Sequence, residues 1–172
     1  MITDGLSCKG SYHDINQDSF ICKPVLNGYM MALSDGMGSK RFSQFGSRII
    51  CEVLEQEFEN EKVPLDQLKW IPFLKKCHAK WIENLKEYDI TQCYATMLVL
   101  LLQDNCLKAA RLGDGFLSIL IDDTDYVLMD QKDDYFANET DCLMAEFDEE
   151  RLEVLELNFD KFIGAVACSD GI

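Results

Sequence analysis

Tyr29-Met30-Met31-Ala32-Leu33-Ser34 followed by Asp35-Gly36-Met37-Gly38-Ser39 decides how this chain reads. An apolar strand runs straight into an aspartate, and a glycine follows at once. A strand end holds a carboxylate rigidly, and a following glycine lets the backbone turn sharply or a ligand come close. Upstream, Ser19 to Cys22 reads as a partner strand, joined to the first around Pro24 and Asn27-Gly28. Downstream, Phe42, Phe45, Ile49, Val53 and Leu54 fall at helical spacing, which predicts a helix ending near Phe58.

A turn near Asn60 to Pro64 precedes a second helix, from about Leu65 to Tyr88. Leu68, Ile71, Leu74, Cys77, Trp81, Ile82 and Leu85 form its apolar stripe, and Pro72 predicts a kink or a restart. From Thr91 the pattern changes. Tyr94 to Leu102, Cys106 to Leu112, Phe116 to Ile121 and Asp125 to Met129 read as four short strands. The gaps between them are short, which favours an antiparallel meander. Residues 131–150 read as acidic loops with a short strand at Asp141 to Glu146, and Ile163 to Cys168 reads as a last strand entering Ser169-Asp170-Gly171. Strands, two helices and more strands give an α+β class, with a pair of antiparallel sheets flanked by helices, in a single domain over 1–172.

The bulk properties narrow the function. The 172 residues carry 31 acidic and 16 basic side chains, a net charge of -15, and such a surface repels nucleic acid. The longest apolar run, Met97 to Leu102, is far too short to span a bilayer, so no membrane partner is expected. Eight cysteines are scattered without a CxxC pair, which argues against a zinc ribbon or a redox motif. Met1-Ile2-Thr3-Asp4-Gly5 is polar, so no secretory leader is expected, and reduced thiols in the cytoplasm are the natural reading.

Three aspartates share one context. Asp35, Asp114 and Asp170 each follow an apolar strand and precede a glycine, and Asp18 stands just before a strand. Each Asp-Gly alone is an ordinary turn. Together they offer hard oxygen ligands at several strand ends, the donor set of Mg²⁺ or Mn²⁺.

The order of these motifs resembles the type 2C metal-dependent Ser/Thr phosphatases, in a divergent bacterial-like branch. Asn16-Gln17-Asp18-Ser19-Phe20 is similar to that family's first acidic motif, and Ala32 to Ser39 to its second. Tyr94-Ala95-Thr96-Met97-Leu98 and Ala110-Arg111-Leu112-Gly113-Asp114-Gly115 are similar to its paired central strands. Ala167-Cys168-Ser169-Asp170-Gly171 is similar to a later metal motif. The resemblance implies two divalent cations, Mg²⁺ or Mn²⁺, held by Asp18, a bridging Asp35, the Gly36 carbonyl and Asp170, with Asp114 at most on an accessory cation. It implies a phosphorylated protein as substrate and a Ser/Thr kinase as counterpart. Hydrolysis of a phosphomonoester needs on the order of 20 kcal/mol of catalysis, which two cations roughly 3.5–4 Å apart supply in large part.

Two departures accompany the resemblance. His13 stands where the family commonly has a phosphate-gripping arginine, and imidazole is the weaker phosphate partner. The family's last metal aspartate lies beyond the Ser-Asp-Gly motif, so the chain reads as C-terminally truncated. These departures leave a catalytically inactive binding or regulatory module of the same fold as the alternative. A purely cation-binding protein is disfavoured, because no EF-hand loop is present. His78, beside Cys77 in the second helix, reads as a structural or surface residue.

Overall fold

A computed structural model describes residues 2–10, 14–25, 28–128 and 140–169. The strands are β1 (Ser19–Val25), β2 (Gly28–Ser34), β3 (Met97–Gln103), β4 (Cys106–Leu112), β5 (Phe116–Ile121), β6 (Thr124–Leu128), β7 (Glu153–Asn158) and β8 (Phe162–Cys168). Helices α1 (Ser43–Glu59) and α2 (Trp70–Asn84) lie between β2 and β3. One sheet has the order β1-β2-β3-β4-β7 and the other β6-β5-β8, and every pairing is antiparallel. The expected α+β sandwich of two antiparallel sheets with helices is the observed one.

Strand β3 explains the layering. Met97, Val99 and Leu101 pack with the helices, while Leu98, Leu100 and Leu102 pack against the second sheet. A strand covered on both faces reads as a continuous apolar run rather than an alternating one. Both helices face the first sheet. Trp70 and Trp81 are almost fully buried there, and their indole N–H groups donate to the carbonyls of Ala109 and Gly46, both at 2.9 Å. A buried indole keeps its place when its one donor is satisfied.

Four local expectations change. Pro24 falls inside β1, which is longer than expected; β1 is an edge strand, where a missing N–H costs no ladder bond. The second helix starts at Trp70, after a 3₁₀ turn at Leu65–Gln67, so Pro72 sits in a first turn whose N–H groups have no intrahelical acceptor. The strand expected at Asp141 to Glu146 reduces to one bridge, Leu143 to Ala95, because the chain then turns to meet α2. The meander breaks between β4 and β5: β4 pairs with β7, and the chain crosses to the other sheet at Gly113, whose φ is +122°. Only glycine adopts that conformation readily. Strand β7, absent from the sequence reading, docks through Arg111–Glu153 and Lys108–Glu156 ion pairs across its register.

Of the two readings for His78, structural or surface, the structure gives the first: the residue is buried. Its Nε2 donates to the Met144 carbonyl at 2.7 Å, and the ring packs edge-on against Phe147. Desolvation lowers its pKa, and the Met144 carbonyl opposes this only in part. Folding therefore favours the neutral ring. Stability is full above the ordinary histidine pKa, about 6.5, and falls as the pH drops through that value. Thermal melts between about pH 8 and pH 5 should show this loss, and it should shrink in His78→Gln.

Candidate functional site

Asp18, Asp35 and Gly36 line one open cavity of about 580 Å³. Its walls also include Asn16, Gln17, Gly38, Cys168 and Ser169. The start of β1, the end of β2 and the end of β8 thus meet at one end of the sandwich. The register requires part of this: β1 and β2 pair antiparallel with Ser19 opposite Ser34, so Asp18 and Asp35 flank adjacent strand ends.

The backbone around Asp35 is clamped by one residue. Thr96 Oγ1 accepts from the Asp35 N–H at 2.9 Å, the Thr96 N–H donates to the Asp35 carbonyl at 2.8 Å, and Ser34 Oγ donates to the Thr96 carbonyl at 2.6 Å. Ser34 is fully buried. Three bonds onto one dipeptide fix the direction in which its side chain leaves the strand.

Gln17 and Asn16 do the same for Asp18. The Gln17 carbonyl accepts from the Gly36 N–H at 3.2 Å and from the Ser47 hydroxyl. The Gln17 amide donates to Ser43 Oγ at 2.7 Å. Asn16 Oδ1 accepts from the Asp18 N–H at 3.2 Å, an Asx-type turn. Gly36 has no room for a side chain: a Cβ there would lie 2.6 Å from the Gln17 carbonyl oxygen and 2.9 Å from the Ser43 carbonyl. Close backbone approach explains the glycine.

Asp114 does not line this cavity. It lies in the crossover between the sheets, where its carboxylate accepts from the Thr140 hydroxyl at 2.8 Å. The crossover is held from beneath by Arg111, which is 7% exposed and donates from one guanidinium nitrogen to the carbonyls of Gly113 and Gly115. His13 and Asp170 lie outside the described residues; Ser169, the neighbour of Asp170, lies on the cavity wall. Among the described residues, no three His, Cys, Asp or Glu side chains gather closely enough to hold a metal. Asp18 and Asp35 are the two carboxylate residues among the described residues that line the cavity.

The sequence reading gave no role to Thr96, Gln17, Ser34, Ser43 or Arg111. The polar side chains of Thr96, Gln17, Ser34 and Ser43 become meaningful only through contacts far along the chain, such as Thr96 with Asp35. A buried serine pair in α1, Ser43 and Ser47 on the side facing Gln17, was the available signal.

The chain belongs to the Protein phosphatase 2C family, whose model matches residues 10–172. Solved structures support the fold. PppA of Pseudomonas aeruginosa is 18% identical with a TM-score of 0.72, covering 99% of this chain and 77% of that one. The serine/threonine phosphatase Stp1 from Staphylococcus aureus is 15% identical with a TM-score of 0.69, covering 99% and 74%. The catalytic domain of the phosphatase PstP, in complex with 2 manganese ions, is 19% identical with a TM-score of 0.61, covering 90% and 70%. No curated protein sequence matches significantly. None of the helices among the described residues is long and apolar enough to cross a membrane.

Proposed function

We propose that this chain hydrolyses phosphoserine and phosphothreonine in proteins, using Mg²⁺ or Mn²⁺ bound in the cavity of Asp18 and Asp35. The observation that carries this reading is the convergence of Asp18, Asp35 and Gly36 on one cavity whose wall also includes Ser169. The donors are hard oxygens on backbone held by hydrogen bonds, which fits either cation. Asp18, Asp35, the Gly36 carbonyl and Asp170 would hold two cations. Bound there, they would lower the pKa of a water and neutralise phosphoryl charge.

The chain's own residues supply orientation. Thr96 fixes the backbone of Asp35, while Asn16 and Gln17 fix that of Asp18, so each carboxylate leaves from a backbone already in place. Asp114, beside Thr140, would serve an accessory cation at most. His13 takes the place of a phosphate-gripping arginine and would donate a hydrogen bond to the substrate. The partners are a phosphorylated protein and the Ser/Thr kinase that makes it. All eight cysteines are free thiols, five of them buried, which suits the cytoplasm.

The test is hydrolysis of a phosphothreonine peptide with Mn²⁺ added and then chelated. Turnover that appears with Mn²⁺ and stops with the chelator is the expected result. Peptide binding without turnover at any Mn²⁺ concentration would reduce the protein to a binding module.

A further inference from the structure

The chain is strongly acidic overall, yet three of its 16 cations follow the candidate site along the loop after β2 and the start of α1. Lys40 and Arg41 follow Gly38, which lines the cavity, and Arg48 lies further along α1 on the exposed surface. The Lys40 carbonyl accepts from the Gln17 amide at 3.3 Å, so this loop is tied to the segment that carries Asp18.

Each cation rests on an aromatic ring. Lys40 Nζ is 4.9 Å from the Tyr94 ring centroid. Arg41 Cζ is 5.2 Å from that of Phe42, and Arg48 Cζ is 5.3 Å from that of Phe45. Phe42 and Phe45 in turn pack on Tyr88, at 5.3 and 4.6 Å. A ring face holds a cation in place without neutralising it, so its charge stays available to an anion. Arg48 is partly compensated by Glu52 at 3.6 Å, on an exposed surface where such a pair is weak. Among the described residues, neither Lys40 nor Arg41 forms an ion pair with a carboxylate. Asp141, which shares the neighbourhood of Cys142 with Lys40, is paired with Arg151.

We propose that Lys40, Arg41 and Arg48 form a docking surface for acidic residues that flank the phosphorylated residue of the substrate. This rests on the hydrolytic reading above and narrows its substrate class to acid-flanked phosphopeptides. The local patch works against the field of the whole chain. A net charge of -15 would by itself draw basic peptides, but that field is screened beyond about 10 Å at 0.1 M salt, whereas contacts at the patch are not.

Three phosphothreonine peptides that differ only in flanking Asp, Asn or Lys residues decide the matter, with p-nitrophenyl phosphate as a substrate that has no flank. The parent chain should favour the acidic peptide over the neutral one by roughly fivefold in kcat/KM, mostly through KM. The double variant Lys40→Gln with Arg41→Gln should erase that ratio and leave aryl phosphate hydrolysis unchanged. A parent that prefers the basic peptide, or a preference that survives the double variant, overturns the docking surface. If nothing is hydrolysed, the failure belongs to the hydrolytic reading, and fluorescence anisotropy of the same labelled peptides decides the docking alone. Tighter binding of the acidic peptide, lost in the double variant, upholds it; equal binding of all three overturns it.

Discussion

Asp35→Asn is expected to abolish Mn²⁺-dependent phosphopeptide hydrolysis, by on the order of 10³-fold or more, while leaving the fold intact. The two halves of this expectation have different causes. Asparagine has nearly the volume of aspartate, and the Asp35 bonds to Thr96 are made by backbone N–H and carbonyl groups, which the substitution keeps. The melting temperature should therefore hardly move. The cavity, however, loses one of the two carboxylates that the described residues place in it. A neutral amide is a poor ligand for two adjacent dications, and it cannot offset charge between them. Initial rates against Mn²⁺ concentration, alongside a thermal melt, check both halves. A variant that hydrolyses at the parent rate would remove Asp35 from the site. A variant that melts far below the parent would mean that its carboxylate contributes to folding instead.

How much of this was legible beforehand depended on the range over which each feature is determined. The strand entering Asp35 and the helix after it are local patterns of alternation and spacing, and the structure has both. The nearness of Asp18 to Asp35 follows from one hairpin register, a contact between neighbouring strands. The break between β4 and β5 was not legible, because Gly113-Asp114-Gly115 has the composition of a hairpin turn. The strand that does pair with β4 comes from 153–158, far along the chain. That strand, Glu-Val-Leu-Glu-Leu-Asn, alternates only in part and follows an acidic stretch, so its period does not stand out in the sequence. The Thr96 clamp is a contact between residues 61 apart, and a lone threonine in an apolar strand gives no sign of it.

Gly46→Ala is expected to destabilise the protein severely, by about 3 kcal/mol or more, and to lower activity along with it. Alanine normally strengthens a helix relative to glycine by up to about 1 kcal/mol, so helix propensity alone forecasts the opposite sign. Packing decides the outcome. A Cβ on Gly46 would lie 1.8 Å from the Cys93 carbonyl oxygen and 2.9 Å from its carbonyl carbon. Those are backbone atoms, so relief requires α1 and the segment around Cys93 to move apart. That movement would also strain the bond from the Trp81 indole N–H to the Gly46 carbonyl, both of whose groups are buried. The consequence reaches the site because Cys93 leads directly into Tyr94, Ala95 and Thr96. Tyr94 accepts from the Met37 N–H, Ala95 bridges Gly36, and Thr96 clamps Asp35. Displacing this segment should loosen the backbone of Asp35 and Gly36 even in molecules that remain folded. Chemical denaturation measures the first effect, and the Mn²⁺ concentration for half-maximal activity at a temperature where the variant is folded measures the second. A variant as stable as the parent would show that the helix and the strand segment have slack between them. A destabilised variant with unchanged Mn²⁺ dependence would separate the packing of α1 from the positioning of Asp35.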